Sequence, residues 1–198
     1  AKAFGIEVVL LLNKEDTYSK QEMDELRQLK AVYKGIGYHC VEISALNGTN
    51  IDQVKSLMKS KTCMLSGHSG VGKSTLVNTL APQLNIKTKA ISDQHQQGQH
   101  TTTHAELHEL DFGAKIIDTP GIRGFGMITF SPQELGDYFV EFFERKVQCK
   151  FNDCLHIDEP KCAVKLAVES GGIASSRYKS YIQILAGDDQ HYRTDFWE

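Results

Sequence analysis

The sequence has no long apolar run. Its longest, "VVLLL" at residues 8–12, is far shorter than the roughly 20 apolar residues that a membrane-spanning helix needs. Nor does the chain open with a basic segment followed by an apolar stretch and a cleavage site. We therefore expect a cytoplasmic protein without a membrane partner.

Basic charge is not in excess, and cysteine is scarce. The 22 Lys and Arg residues face 25 Asp and Glu residues, for a formal net charge of −3, so the whole chain lacks the basic character typical of nucleic-acid binding, although a local patch can coexist with net acidity. Five cysteines are an odd number. Three of them crowd together near His156, which favours a metal site over disulfides in a reducing compartment.

The pattern of elements predicts an α/β fold followed by a helical module, within a length that supports one ample core and a small second domain. Strands and helices alternate up to about residue 128, which indicates a mixed sheet flanked by helices. We predict strands at 6–12, 38–44, 61–67, 104–110 and 114–118, and helices at 19–34, 50–59 and 73–80. Further helices are predicted at 131–146, 163–172 and 175–187. The expected domains are 1–128 and 129–198, with the boundary near Thr129.

A glycine-rich loop, "GHSGVGKS" at residues 67–74, fits the pattern G-x-x-x-x-G-K-[ST] between a predicted strand and a predicted helix. Its glycines let backbone N–H groups face one anionic centre, and the helix N-terminus adds partial positive charge. Lys73 can reach the β- and γ-phosphates, and the Ser74 hydroxyl can ligate Mg²⁺. A glycine turn that merely starts a helix is the alternative, which the complete motif disfavours. The predicted phosphate-binding residues are Gly67, His68, Ser69, Gly70, Val71, Gly72, Lys73, Ser74 and Thr75.

A carboxylate follows the apolar run "AKII" in "DTPG", residues 118–121. In a P-loop fold, Asp118 at this strand end would hold Mg²⁺, and the Gly121 N–H could approach the γ-phosphate. An ordinary β-turn would also explain the motif. Its position downstream of a complete phosphate loop favours the metal-binding role.

The segment "GQHTTT" at residues 98–103 precedes the predicted hairpin. A threonine there can complete the Mg²⁺ shell when a triphosphate is bound, or the segment is a solvated Thr-rich loop. Ras-like GTPases place a water-orienting Gln directly after D-x-x-G, whereas this chain has Ile122. Hydrolysis is then either slow or assisted by another group. His100 is a candidate for that role, and a solvent-exposed histidine is the alternative.

The tetrapeptide "NKED" at residues 13–16 matches the guanine-reading motif N-K-x-D. The Asp16 carboxylate can accept from guanine N1–H and its exocyclic amine together, which adenine cannot supply. Lys14 would lie along the purine face, and Asn13 would tie the loop to neighbouring backbone. The motif lies about fifty residues ahead of the phosphate loop, so it is either a chance match or a sign of rearranged motif order.

A second short motif, "SAL", follows the next predicted strand and resembles the second guanine loop of GTPases. It comprises Ser44, Ala45 and Leu46, and the Ala45 N–H would meet guanine O6. Both motifs lie at the carboxyl ends of predicted strands, the edge where open α/β sheets bind ligands.

The spacing Cys149-x4-Cys154-x-His156-x5-Cys162 supplies three thiolates and one imidazole within a short segment. These ligands suit tetrahedral Zn²⁺, and a compact loop suits a structural site with one zinc per chain. Unligated core cysteines with a surface histidine are the alternative. A disulfide would leave one of the three cysteines unpaired.

Together these segments resemble the ribosome small-subunit-dependent GTPase A family, circularly permuted bacterial GTPases that assist late 30S maturation. The resemblance is carried by "NKED", "SAL", "GHSGVGKST", "GQHTTTH", "DTPGIRGFG" and "CKFNDCLHIDEPKCAVKLAVESGGI", which appear in the permuted order of the family. It covers nearly the whole chain. The family also carries an N-terminal oligonucleotide-binding barrel and the opening strand of the GTPase sheet. Neither is among these 198 residues, and we expect an upstream segment.

The resemblance implies a GTP-hydrolysing domain that binds GTP, GDP and Mg²⁺, followed by a helical zinc-binding domain. It also implies stimulation by the 30S subunit, contact with its 16S rRNA and a monomeric state. By position, His100 is the switch histidine and Thr102 the switch threonine that ligates Mg²⁺, so that His100, Lys73 and Thr102 form the expected catalytic set. Gln99 departs from the basic residue of many members. From residue 129 onward, eight Lys and Arg face twelve Asp and Glu, which gives no independent support for RNA binding there.

We therefore expect a GTPase coupled to the small ribosomal subunit. A rival hypothesis is a GTP-gated RNA- or protein-binding module in which hydrolysis is incidental, and Ile122 is the residue that supports it. A third is an ATP-dependent P-loop protein in which "NKED" is accidental.

Overall fold

The computed structural model describes residues 1, 4–68, 70–84, 106–118 and 131–187. The chain divides into two compact units. Among the described residues, one unit contains 9–68, 70–84 and 106–118, and the other contains 1, 4–8 and 131–187. The predicted boundary at Thr129 lies outside the described residues.

The first unit alternates strands and helices as the sequence pattern indicates. Its elements are β1 Val9–Leu12, α1 Lys20–Gly35, β2 His39–Glu42, α2 Ile51–Met58, β3 Thr62–Met64, α3 Lys73–Leu80, β4 Glu106–Leu110 and β5 Ala114–Asp118. Short 3₁₀ turns lie at Glu15–Thr17 and Pro82–Leu84. Helix α1 begins with a capping box, because Ser19 Oγ accepts from the Glu22 N–H at 3.3 Å and Glu22 Oε2 accepts from the Ser19 N–H at 2.8 Å.

Hydrogen bonds group the described strands into two sheets. β1 pairs in parallel with β2, while β5 lies between β3 and β4, parallel to the first and antiparallel to the second. The predicted hairpin of β4 and β5 is confirmed. Because each parallel pair shares its carboxyl edge, the segments that follow β1 and β2 leave on the same side, as do those that follow β3 and β5.

One apolar core joins these two sheets and their helices. Partly buried residues from β1 and β3 pack against it, so the two sheets are held together by side chains. Its buried side chains are Val41, Ile43, Ala45, Ile51, Val54, Met58, Leu76, Val77, Leu80, Ala81, Leu110, Ala114 and Ile116. The core thus extends under the segments that carry the base-reading motifs and the phosphate loop.

Asn50, the first residue of the predicted helix 50–59, directly precedes α2 but does not cap it with its side chain. Its backbone is left-handed, with φ 58°, and its side-chain amide donates to the Glu42 carbonyl at 2.9 Å. Asn tolerates this backbone region better than most residues. The side chain therefore secures the end of β2 instead of the start of α2.

The second unit is helical, with α4 Pro132–Asp137, α5 Val140–Lys146, α6 Ala163–Glu169 and α7 Ser175–Leu185. The single helix predicted over 131–146 is wrong, because the chain breaks between α4 and α5. Phe139 is extended at the break, with φ −93° and ψ 103°. In this position its ring lies 5.1 Å from that of Phe142 and 5.4 Å from that of Tyr181, so aromatic packing accompanies the break.

Candidate nucleotide site and metal cluster

The phosphate loop curls through left-handed glycines before α3 begins. Gly70 has φ 78° and Gly72, the N-cap of α3, has φ 95°, conformations that other residues rarely adopt. Lys73 Nζ donates to the carbonyl oxygens of Gly67 and His68, the latter at 2.7 Å. The ammonium group therefore lies over the loop in which backbone N–H groups would cradle phosphates.

Gly72 is also required by a close approach of the base-reading motif. A Cβ at this position would lie 2.4 Å from Asn13 Nδ2, a distance that real side chains do not show. The phosphate loop and the N-K-x-D segment are thus in direct contact, although 58 residues separate Asn13 from Val71.

The side-chain amide of Asn13 joins three segments of the predicted site. Its Nδ2 donates to the Val71 carbonyl of the phosphate loop at 2.8 Å. Its Oδ1 accepts from the Ala45 N–H at 3.0 Å. The predicted role of Asn13, tying its loop to neighbouring backbone, matches this geometry.

The rest of "NKED" forms a tight turn after β1. Lys14 is left-handed, with φ 71°, and its carbonyl accepts from both the N–H and the hydroxyl of Thr17 at 2.9 Å. Tyr18 Oη donates to the Asn13 carbonyl at 3.1 Å. Asp16 is exposed, so its carboxylate is accessible to a base. Its role as the guanine reader stays a prediction.

The "SAL" segment is buried at its start and exposed at its end. Ser44 is fully buried and accepts through Oγ from the Asn47 N–H at 3.1 Å, whereas Leu46 is exposed. The Ala45 N–H, predicted to meet guanine O6, donates to Asn13 instead. Guanine would have to share this donor, and the Ala45 role stays a prediction.

Some of the predicted phosphate, magnesium and switch residues are among the described residues, and others are not. Ser74 and Thr75 are half-buried in the first turn of α3, and Asp118 ends β5. Since β5 is parallel to β3, Asp118 lies at the strand edge from which the phosphate loop departs. The positions that lie outside the described residues are Ser69, His100, Thr102, Gly121 and Ile122.

The structure brings all four predicted zinc ligands together. The ligand atoms of Cys149, Cys154, His156 and Cys162 lie within 4.8 Å of one another. His156 Nδ1 is 3.3 Å from Cys162 Sγ and 3.8 Å from Cys149 Sγ, and the Sγ atoms of Cys149 and Cys162 are 4.0 Å apart. A tetrahedral zinc places two sulfur ligands about 3.8 Å apart and a sulfur and a nitrogen about 3.6 Å apart. The donor set and its spacing therefore fit zinc.

Hydrogen bonds from outside the four ligands shape the loop that carries them. Glu159 accepts from the N–H groups of Leu155 and Ile157 at 2.6 and 2.8 Å. Tyr178 Oη donates to the His156 carbonyl at 2.6 Å, where the backbone is left-handed with φ 60°. Such contacts fix ligand orientation around metal sites.

The protonation of the cluster depends on its burial. Burial raises the pKa of the Cys154 thiol to about 12 and also raises the pKa of Cys162. Burial likewise lowers the pKa of His156, against the opposing effect of Glu159 and Asp137. Without a cation the Cys154 and Cys162 thiols are therefore protonated, and binding of a metal through these two sulfurs would release protons.

The sequence pattern did not single out Thr79, Glu159 or Tyr178. Thr79 Oγ1 donates to the Ala45 carbonyl at 2.7 Å across 34 residues, and no local motif signals such a contact. Glu159 had a weak signal, a carboxylate between ligands in a short loop. The aromatic spacing of α7 signalled only a buried helix face.

Among the helices of the described residues, none combines the length and apolar character that crossing a membrane demands.

Known proteins are similar in sequence to this chain over its whole length. A curated relative from Christiangramia forsetii is 57% identical over 198 residues, which are all of this chain and 63% of the relative. One from Flavobacterium psychrophilum is 56% identical over 197 residues, 60% of its length. Both are called small ribosomal subunit biogenesis GTPase RsgA. The chain thus spans less than two thirds of the curated relatives it matches.

Two solved structures share the fold. The crystal structure of YjeQ from Thermotoga maritima has a TM-score of 0.76 at 39% identity, covering 91% of this chain and 59% of its own. YloQ, described as a circularly permuted GTPase, has a TM-score of 0.71 at 30% identity, covering 92% of this chain and 57% of its own. The fold is therefore that of a circularly permuted GTPase followed by a helical unit with a cysteine–histidine cluster. The family model for RsgA GTPase matches residues 1–128, and the chain belongs to the RsgA GTPase family.

Proposed function

We propose that this chain binds and hydrolyses GTP in a cycle coupled to the small ribosomal subunit, in late maturation of that subunit. The observation that carries the proposal is the Asn13 amide, which hydrogen-bonds both the phosphate loop and the "SAL" segment. Motifs distant in the sequence are thereby assembled around one location. Relatives named for small ribosomal subunit biogenesis support the biological setting.

Within the site, the chain's own residues have distinct roles. Lys73 exchanges its two carbonyl acceptors for the β- and γ-phosphates. Asp16 reads the base, with Lys14 along its face. Ser74, Thr102 and Asp118 would hold Mg²⁺, which would neutralise phosphate charge. His100 orients the attacking water. Ras-like GTPases use a glutamine for this at the position where this chain has Ile122.

The cysteine–histidine cluster has a structural role in this proposal. Three thiolates and one imidazole would supply all four ligands of a tetrahedral zinc and leave no position for substrate. The zinc would hold the 149–162 loop against the aromatic core of the helical unit. The partners proposed for the protein are the 30S subunit and its 16S rRNA, with which a monomer would associate in the cytoplasm.

Single-turnover GTP hydrolysis with and without intact 30S subunits tests the coupling. We expect subunits to raise the rate by at least an order of magnitude, since a docked partner can complete a GTPase site. The variant His100→Ala should lose most of this stimulation. If subunits leave the rate unchanged although GTP binds, the chain acts as a GTP-gated binding module, the reading that Ile122 supports.

Nucleotide competition tests the base-reading motif. ATP should fail to displace GDP at concentrations at which GTP does, because adenine cannot satisfy Asp16. Asp16→Asn should transfer preference from guanosine to xanthosine nucleotides, since the change replaces an acceptor with a donor. Asp52→Asn, at an exposed carboxylate on α2, is the matched control and should retain guanosine preference. Equal competition by ATP in the unaltered chain would show that "NKED" is accidental.

A further inference from the structure

Thr79 lies on the buried side of the site, two turns into the helix that follows the phosphate loop. Its hydroxyl lies 2.7 Å from the Ala45 carbonyl and 2.9 Å from the Thr75 carbonyl one turn earlier. The second contact is of the local kind that a helical threonine makes, and it shares the single hydroxyl proton with the first, shorter contact. The first crosses between the two motif-bearing parts of the chain and has no local explanation.

The contact completes a closed ring of hydrogen bonds. Val71 accepts from Asn13, Asn13 accepts from the Ala45 N–H, and the Ala45 carbonyl accepts from Thr79. The backbone of α3 and of its N-cap Gly72 connects Thr79 covalently to Val71. Ala45 is consequently held on both sides, its N–H by the base-reading motif and its carbonyl by the phosphate-loop helix.

We infer that Thr79 is a positioning residue for base specificity, acting through the backbone of the "SAL" segment. The inference rests on the proposed function, because it presumes that this segment meets a guanine base. Ala45 is buried and Leu46, one residue later, is exposed. The Ala45 carbonyl and the Leu46 N–H belong to one planar peptide group, so fixing the carbonyl also orients the N–H that leads into the accessible part of the loop. Removing the Thr79 hydroxyl should loosen this peptide group, while the phosphate loop keeps its own contacts.

The variant Thr79→Val tests the inference, because it keeps the branched shape and removes the donor. Loss of one hydrogen bond to a buried carbonyl should weaken GDP binding by roughly three- to tenfold. Affinity for inorganic pyrophosphate, measured by competition, should stay within about twofold, since the phosphate loop keeps its own contacts. Thr79→Ser, which retains the hydroxyl, should restore GDP affinity.

Ser56→Ala is the matched control. Its hydroxyl makes only the local type of contact, to the Asp52 carbonyl at 2.8 Å within α2, and GDP affinity should not change. Thermal melting of every variant separates binding from folding, and Thr79→Ala supplies a second donor-free side chain if Thr79→Val folds poorly. Equal weakening of GDP and pyrophosphate, or no weakening of either, would overturn the inference. Failure of the unaltered chain to prefer GDP over ADP would instead contradict the proposed function.

Discussion

A buried ion pair links two helices of the second unit. Arg177 Nε and Nη2 donate to the two carboxylate oxygens of Glu141 at 2.7 and 3.3 Å, and both side chains are largely buried. The guanidinium also lies 4.6 Å from the centre of the Phe139 ring. Two parallel bonds and a ring contact together suit arginine and not lysine.

Removing one member of this pair should destabilise the protein strongly. Arg177→Met leaves the Glu141 charge buried, and we expect a loss of about 3–5 kcal/mol in the free energy of unfolding. Changing both residues, Glu141→Leu with Arg177→Met, should recover most of the loss because no charge remains buried. Chemical denaturation measures both effects.

Arg27→Met is the control for that experiment. Arg27 pairs with Asp24 one turn away on the exposed face of α1, and its loss should cost less than about 0.5 kcal/mol. If Arg177→Met lowered the free energy of unfolding as little as Arg27→Met does, the buried ion pair would not be an important source of stability.

Helix α4 is short and carries a capping box at its start. It has six residues, too few for strong intrinsic helix stability. Ser131 Oγ accepts from the Glu134 N–H at 3.3 Å, and Glu134 Oε2 accepts from the Ser131 N–H at 2.9 Å. The capping box thus satisfies two backbone donors at the start of the second unit.

We expect Ser131→Ala to lower the free energy of unfolding by about 1 kcal/mol. The Ser131 side chain and backbone N–H hold the pKa of Glu134 below its ordinary value of 4.5. A carboxyl with a depressed pKa contributes stability above that value and loses it as the pH falls through the folded-state pKa. The difference in melting temperature between the parent and Ser131→Ala should therefore shrink below pH 4.5. A difference that stays constant down to pH 3 would contradict this account.

How far the elements follow from the sequence depends on how local their causes are. The capping boxes at Ser19 and Ser131 are local, and both helix starts are predicted correctly. The break after α4 is not local, because Leu135, Phe139 and Phe142 keep a helical spacing throughout. It accompanies packing of Phe139 against Tyr181, a residue 42 positions later, and no pattern in the segment itself indicates it.

For the whole molecule, the sequence supplied the motif identities but not the contacts that assemble them. The cysteine–histidine cluster was predictable because the spacing of its four residues is short and their chemistry is narrow. The contacts of Asn13 with Val71 and Ala45 join positions 58 and 32 residues apart, and only the folded chain reveals their partners. Burial of polar groups such as Ser44 likewise follows from packing.

Among the described residues, the cysteine–histidine cluster packs with the core of the second unit, so we expect loss of a bound zinc to affect the second unit more than the first. Metal analysis of the unaltered chain should give one zinc per chain, and Cys154→Ser should give almost none, since three ligands bind zinc far less tightly than four. In Cys154→Ser we expect a weaker near-ultraviolet circular dichroism signal from the packed rings of Phe139, Phe142, Tyr178 and Tyr181. GDP should still bind to this variant. Cys63→Ser, in β3 outside the cluster, is the control and should retain the metal. Retention of zinc by Cys154→Ser would show that the cluster is not the ligand set.

The hydrogen-bonded ring of Val71, Asn13, Ala45 and Thr79 also limits how early the nucleotide site can form while the chain is being synthesised. All of its connections except helix α3 join positions at least 32 residues apart. The chain must therefore bring these distant segments together, at a cost in conformational entropy, before the hydrogen bonds can form. A nascent chain that has not yet emerged past residue 79 carries both base-reading segments but cannot close the ring. Competence to hold a nucleotide would therefore not appear until residue 79 has emerged from the ribosome.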